Sequence, residues 1–266
     1  MSTTTDARPR PNPVGWKSIA LPAEHGGWGF TLEPIILGLL VASSAAAWEI
    51  SVAALTIFLA RRPVKLVSTD LVRRRWLPRS SVALAFSLGY GALAVAGAVG
   101  ALVTAEASFW QPIAIAVPLA GFALYADAHG RNHTLAAELI GSAAMGATVT
   151  AISLAGGWDP IPAFGLWFVL IARNVTTITL VRGQIRRVHN KPVGATAIYS
   201  VQLGTLLAIA VAAAYDAVPW TSVAAIAGIG LLAVVSLNRP PVRARTVGWT
   251  QIATGLGVVF LTASGI

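Results

Sequence analysis

Nine runs of apolar residues follow one another along the chain, separated by short polar turns. They fall at 27–44, 50–72, 81–104, 111–126, 134–155, 161–181, 195–214, 219–237 and 247–264. A helix crossing the hydrocarbon core needs about 20 apolar residues, and inside lipid only a helix or a closed barrel satisfies its own backbone. The runs are continuously apolar rather than alternating, so the pattern predicts an all-α polytopic membrane protein with about nine transmembrane helices. Two of the runs carry arginine inside them, Arg61 and Arg62 in the second and Arg173 in the sixth. Residues 1–15 are polar, carry Arg8 and Arg10, and lack the apolar core of a signal peptide. They read as a disordered cytoplasmic tail, and 16–266 as a single transmembrane domain.

Composition narrows this picture. The chain has 266 residues, 56% apolar and 11% charged, where a soluble domain carries roughly a quarter charged residues. No cysteine is present, which excludes disulfides, iron–sulfur clusters and a thiolate nucleophile. The formal charge of +9 would suggest nucleic acid in a soluble protein, but here the charge sorts by side. Threading nine spans from an inner amino terminus places all 19 basic residues inside or in the inner half. The opposite loops hold Glu49, Glu106, Asp159 and Asp216 and no lysine or arginine. Positive loops stay in the cytoplasm, so the amino terminus is expected inside and the carboxyl terminus outside a bacterial cytoplasmic membrane. The expected partners are membrane lipids, not nucleic acid. Most of the nine tryptophans fall near the ends of the runs, Trp28 among them, as in an interfacial belt.

The chain also resembles itself. His25-Gly26, Thr31-Leu32 and Gly38 recur as His129-Gly130, Thr134-Leu135 and Gly141. Each copy opens a run from the inner side, and each is followed by a run with embedded arginine. The halves are 16–126 and 127–237, four spans each, and 247–264 is left over. An even number of spans makes such repeats parallel.

Charge at membrane depth marks the candidate chemistry, because it faces the protein interior or a watery cavity. Arg62, Lys65, Thr69, Asp70 and Arg73 fall on one helical face, and Arg173, Thr176, Thr177, Gln184 and Arg187 form a looser stripe. Two such stripes, one per half, would converge on a basic cavity open to the cytoplasm. It would hold a phosphate, diphosphate, carboxylate or lipid headgroup through paired guanidinium hydrogen bonds. Arg62, Lys65, Asp70, Arg173, Asn174 and Arg182 are the candidate binding residues. The alternative is snorkelling to headgroups, the reading favoured for Arg73–Arg75, Arg79, Arg186 and Arg187.

Glu33 and Glu138 are acids inside the first and fifth runs and need a partner, a proton or a cation. Arg62 and Arg173 are the simplest partners, either as structural ion pairs or as a proton- or substrate-coupled site. Pro34 beside Glu33 removes a backbone donor. Glu24, His25, Asp127, His129 and His133 gather at two helix openings. They offer groups that move protons, His25 and His129 above all. A divalent metal is a further possibility, although their spacings match no zinc signature.

The run Ala23-Glu24-His25-Gly26-Gly27-Trp28-Gly29 with Pro34 and Gly38, the Arg62-Pro63 segment and the stretch from Arg173 to Arg187 resemble the YwiC-like family of bacterial membrane proteins. The wider architecture resembles the UbiA prenyltransferase superfamily. That likeness implies nine helices in two pseudo-symmetric groups of four plus one, with a cavity near the second and sixth spans. Members of that superfamily hold magnesium and an isoprenoid diphosphate with two aspartate-rich motifs. This chain has Asp70 alone at the first place and arginines at the second, so any enzyme here is a non-standard UbiA-like transferase. The sequence leaves three functions open. The chain binds or processes an isoprenoid, quinone or other amphiphile with an anionic head; or it carries a small anion across the membrane; or it is a structural subunit or assembly factor of a membrane complex.

Overall fold

The computed structural model describes residues 15–22, 25–131 and 133–266. Among them are helices and no strands: α1 (Trp16–Ala20), α2 (His25–Val41), α3 (Ala45–Val72), α4 (Pro78–Thr104), α5 (Trp110–Ala128), α6 (Leu135–Ala155), α7 (Pro160–Val188), α8 (Ala195–Ala214), α9 (Trp220–Leu237) and α10 (Ala244–Ala263). The chain is an all-α polytopic membrane protein. Six of these helices are long and apolar enough to cross a membrane by length and composition. The other long ones fall short for visible reasons. Helix α2 is 17 residues long, α3 carries Glu49, Arg61, Arg62, Lys65 and Asp70, and α5 contains Gln111 and an internal Pro118.

Each of the nine apolar runs lies on one helix, but the boundaries move where polar chemistry takes over. Helix α3 begins at Ala45, before its apolar run, because the Ser44 hydroxyl accepts the Ala47 N–H at 3.1 Å and caps it. Helix α7 continues to Val188, well past its run, since Arg182, Gln184, Arg186 and Arg187 are good helix formers outside lipid. Helix α1 was not foreseen. It lies across the basic end of the hairpin formed by α3 and α4, burying Ile19 against Val67 and Ala83. The tail expectation falls almost wholly outside the described residues.

Helix α7 is the centre of the bundle. It packs against α6, α8, α9 and α10 and buries both its apolar and its polar positions. Helices α2 and α6 pack on each other, and α10 packs on α2, α7 and α9. Helix α4 sits at the periphery, with α3 as its main partner, and is not packed along α5, although a short turn joins them. Lipid gives helices no hydrophobic reason to associate, so close approach between small residues has to supply the contact. A β-carbon on Gly97 of α4 would stand 2.6 Å from the Glu49 carbonyl oxygen of α3. At Gly165 of α7 it would collide with the Ala217 carbonyl.

Tryptophans mark both ends. Trp16, Trp76 and Trp249 at the end carrying the basic loops, and Trp48, Trp110 and Trp220 at the other, are each more than half exposed, as side chains seated in an interface are. Trp28 does not belong with them. It packs edge-on to Phe58 of α3, ring centroids 5.2 Å apart, because α2 is pressed close to α3 there.

The α3–α4 contact gives a direct test. Replacing Gly97 with leucine should lower the midpoint of thermal unfolding in detergent by several degrees, as overpacking costs about 1–3 kcal/mol. The same change at Gly89, where a β-carbon meets nothing within 4 Å, should leave it unmoved.

Candidate functional site

Arg173 is 4% exposed, in the middle of α7. Its Nη2 donates to Glu33 Oε1 of α2 at 2.6 Å and to the Gln251 carbonyl of α10 at 3.1 Å. Its Nη1 donates to Asn174 Oδ1 at 3.2 Å and to the Thr177 hydroxyl at 3.3 Å. The Phe30 ring lies 5.7 Å from the guanidinium carbon. Glu33 is also 4% exposed and stands about 12 Å along α2 from its basic end, at 1.5 Å per residue. The pair therefore ties α2, α7 and α10 together within the hydrocarbon.

The surrounding chain is shaped to admit it. A β-carbon at Gly255 of α10 would strike the Glu33 carboxylate and stand 2.6 Å from Arg173 Nη2. Pro34 cannot donate to the Phe30 carbonyl, which loosens α2 beside Glu33. Two polar atoms at the centre have no partner among the described residues, Arg173 Nε, a donor, and Gln251 Oε1, an acceptor. One turn toward the acidic end, the same three helices contribute Leu37, Leu170 and Val259, which join Ala147, Val149, Leu166 and Trp167 in a buried apolar cluster. The ion pair rests on this plug.

Nearer the basic end every other described acid is matched to a base. Glu138 Oε2 of α6 accepts from Arg182 Nη1 at 2.9 Å, and the same nitrogen donates to the His133 carbonyl at 3.0 Å. Asp127 at the end of α5 accepts from Lys65 Nζ of α3 at 2.9 Å and lies 3.6 Å from Arg61. Burial raises the Asp127 carboxyl, but Lys65 and Arg61 outweigh it and hold the group below its usual range. Asp70 is buried at the end of α3, where Arg79 grips both of its oxygens at 3.0 and 3.3 Å and the Ser80 hydroxyl donates at 2.8 Å. It fastens the start of α4.

Of the two expected partners, Arg173 meets Glu33, whereas Glu138 pairs with Arg182 and with neither Arg62 nor Arg173. The reason is depth: Arg173 stands level with Glu33, whereas Glu138 opens α6 beside the basic end of α7. Arg62, on α3 beside the internal Pro63, is half-buried and has no partner among the described residues. Arg173 is enclosed by protein groups and lines no open basic cavity. Arg79, Arg186 and Arg187 do not reach for headgroups alone. Arg186 donates to the Pro192 carbonyl at 3.0 Å, and Arg187 donates to the Ser236 and Arg239 carbonyls at 2.8 Å each, closing the last turn of α9.

His129 is exposed, its Nδ1 bonded to the Tyr125 carbonyl at 2.8 Å and its ring 4.1 Å from that of Tyr125. Glu24 and the side chain of His25 lie outside the described residues. Among the described residues no three histidine, aspartate or glutamate side chains gather where they could hold a metal ion. The sequence reading missed the contribution of α10, treating 247–264 as a leftover span. Gln251 and Gly255, four residues apart in an apolar run, were the available signal.

Beside the ion pair, α5, α6 and α7 enclose a cleft of about 200 Å³. Leu119, Leu139, Ile140 and Ile171 give it apolar walls, and Asn174 reaches it from the Arg173 side.

A family model described as YwiC-like protein matches residues 21–153, half of the chain. The match holds Glu33, Arg62, Lys65, Asp70 and Glu138 and ends before Arg173. No curated protein matches the chain, and no solved structure does.

A charge cycle tests the central pair. Glu33→Gln or Arg173→Gln alone should destabilise the folded protein by about 3–5 kcal/mol, because each leaves a buried charge uncompensated. The double variant should recover most of that loss. Unfolding in detergent followed by circular dichroism reads all three, and strictly additive losses would refute the pairing.

Proposed function

This chain belongs to the YwiC-like family, and we propose that it binds or processes an isoprenoid, quinone or other amphiphile with an anionic head at a basic site facing the cytoplasm. The observation that carries this reading is the Glu33–Arg173 pair, a guanidinium held inside the hydrocarbon with one donor, Nε, still unfilled. Nature rarely keeps such a charge in lipid without a use for it. Arg62, Lys65 and Arg182 form the cationic wall, with Arg173 enclosed behind it, and the carboxylates of Glu33, Asp127 and Glu138 act as internal place-holders that the ligand's head exchanges with. Guanidinium suits this exchange because it binds carboxylate and phosphate in the same forked geometry. Asp70 is engaged by Arg79 and Ser80, so the reading uses no aspartate-rich magnesium site. His129 lies at the mouth, on the ligand's path, as the group that moves a proton.

Carriage of a small anion across the membrane is less well supported, because the apolar plug of Leu37, Leu170 and Val259 closes the route toward the acidic end. The proposal includes a UbiA-like arrangement of two four-helix groups, α2–α5 and α6–α9, with α10 added. What supports it is that α2 packs on α3 and α3 on α4 as α6 packs on α7 and α7 on α8. Against strict symmetry, α8 packs on α9 whereas α4 is not packed along α5. It also includes a bacterial cytoplasmic membrane with the basic loops inside.

Two measurements test these proposals. Mass spectrometry of lipid extracted from the purified protein should find an amphiphile whose amount falls at least tenfold in Arg62→Gln and in the Glu33→Gln, Arg173→Gln double variant. An unchanged amount in both would sink the reading. For orientation, the absence of cysteine allows single replacements at Ser108 and Lys191. An impermeant thiol reagent added to intact cells should label the first and spare the second, and the reverse pattern would overturn the orientation.

A further inference from the structure

The cleft between α5 and α7 has a polar feature that its apolar walls do not explain. Asn174 is 5% exposed and belongs to the cleft lining. Its carboxamide orientation is dictated by chemistry. Arg173 Nη1 lies 3.2 Å from the side chain, and a guanidinium only donates, so the atom facing it must be the carbonyl oxygen Oδ1. The amide nitrogen is therefore turned away from Arg173. Its two N–H groups have no acceptor among the described residues. The other polar lining residue, Ser142, donates its hydroxyl to its own helix at Leu139 O, 3.0 Å away. A donor left unmatched in a hydrocarbon-like pocket costs far more than one in water.

We propose that the cleft is a binding site for an apolar, carbonyl-bearing ring of the quinone type, whose oxygen accepts from Asn174 Nδ2 while its hydrocarbon lies along Leu119, Ile140 and Ile171. Three observations select this occupant. The walls are apolar, so the body of the ligand is apolar. The unmatched group is a neutral donor and not a charge, so the ligand offers a neutral acceptor. The depth excludes a glycerophospholipid ester: Ser142 and Ala143, on the cleft floor, stand about 11 Å along α6 from its basic end. Ester carbonyls stay at the edge of a hydrocarbon layer some 30 Å thick. Helix α6 forms that floor and α5 and α7 the walls, and the two walls do not pack along each other, so a ring enters sideways from the membrane.

This inference deepens the amphiphile reading by naming the ring that accompanies the head, but it needs no anion at Arg173 and can be tested apart from it. The probe is a benzoquinone with a two-isoprene tail, added to the full-length protein in phosphatidylcholine nanodiscs. The infrared carbonyl stretch of the bound quinone should lie below its position in lipid alone, the mark of a hydrogen bond. Asn174→Leu should return it to the lipid position and weaken binding about tenfold, in keeping with one lost hydrogen bond. Leu119→Trp fills the cleft from α5 without touching Arg173, and should abolish binding even if Asn174→Leu fails to fold. The probe carries no anionic head, so its binding should not change between low and high salt, whereas an anionic head held at the basic end would be weakened by salt, which separates the two proposals. A carbonyl stretch at the lipid position in the unaltered protein would overturn the inference. So would quinone binding undiminished in Leu119→Trp, or a cleft that retains phospholipid against excess quinone.

Discussion

A guanidinium cannot shed its proton under physiological conditions, and in a medium of low dielectric it must meet a counter-charge within the protein. Much of this fold follows from that single demand at Arg173. Glu33 answers it from the other half of the chain, which fixes α2 against α7. The same Nη2 also draws in the Gln251 carbonyl, so α10 closes over the pair, and Gly255 is the residue that lets it approach. Three helices distant in sequence are thereby held at one level. The pairs Arg182–Glu138, Lys65–Asp127 and Arg79–Asp70 obey the same rule closer to water, where their partial exposure makes each less costly and less decisive.

Packing around this centre is uneven. Helix α7 carries polar residues on a buried face, and neighbours on several sides cover it: Gln202 of α8 donates to the Thr176 carbonyl at 2.9 Å, and the Trp167 indole donates to the Ala143 carbonyl at 2.8 Å. Helix α4 holds its place mainly through α3, at Gly97 and Gly100, the second of which lies against the Glu49 carboxylate. The gap along α5 follows, since a peripheral hairpin anchored on one side leaves its other side to lipid.

The helices themselves were legible because hydrophobic runs of bilayer length admit no other secondary structure, and the buried Arg173 was legible because charge stands out in such a run. Which acid it meets was not. Sequence spacing relates residues on one helix, whereas Glu33 and Arg173 lie 140 residues apart, and their meeting depends on the relative depth of α2 and α7. Asn174 was picked out beside Arg173 as a binding residue, but its orientation toward a cleft depends on where α5 and α6 lie. Gln251 carried a signal that was available and unused. A lone amide in an apolar span is costly unless something bonds it, and here its backbone, rather than its side chain, makes the contact. Arg186 and Arg187 were misjudged for a related reason: free carbonyls at helix ends compete with headgroups, and a run of hydropathy does not display them.

The order in which the chain emerges from the ribosome gives the Glu33–Arg173 separation a second meaning. Helix α2 reaches the membrane with its acid unmatched, and Arg173 is made 140 residues later. At about 5–20 residues per second that is a delay on the order of ten seconds. Through that interval α2 must hold a neutral Glu33, lie at the interface, or stay with the insertion machinery. Arrival of α7 then secures it, so the first long helix is among the last to take its final seat. The amino-terminal half is born provisional, and the carboxyl-terminal half completes it.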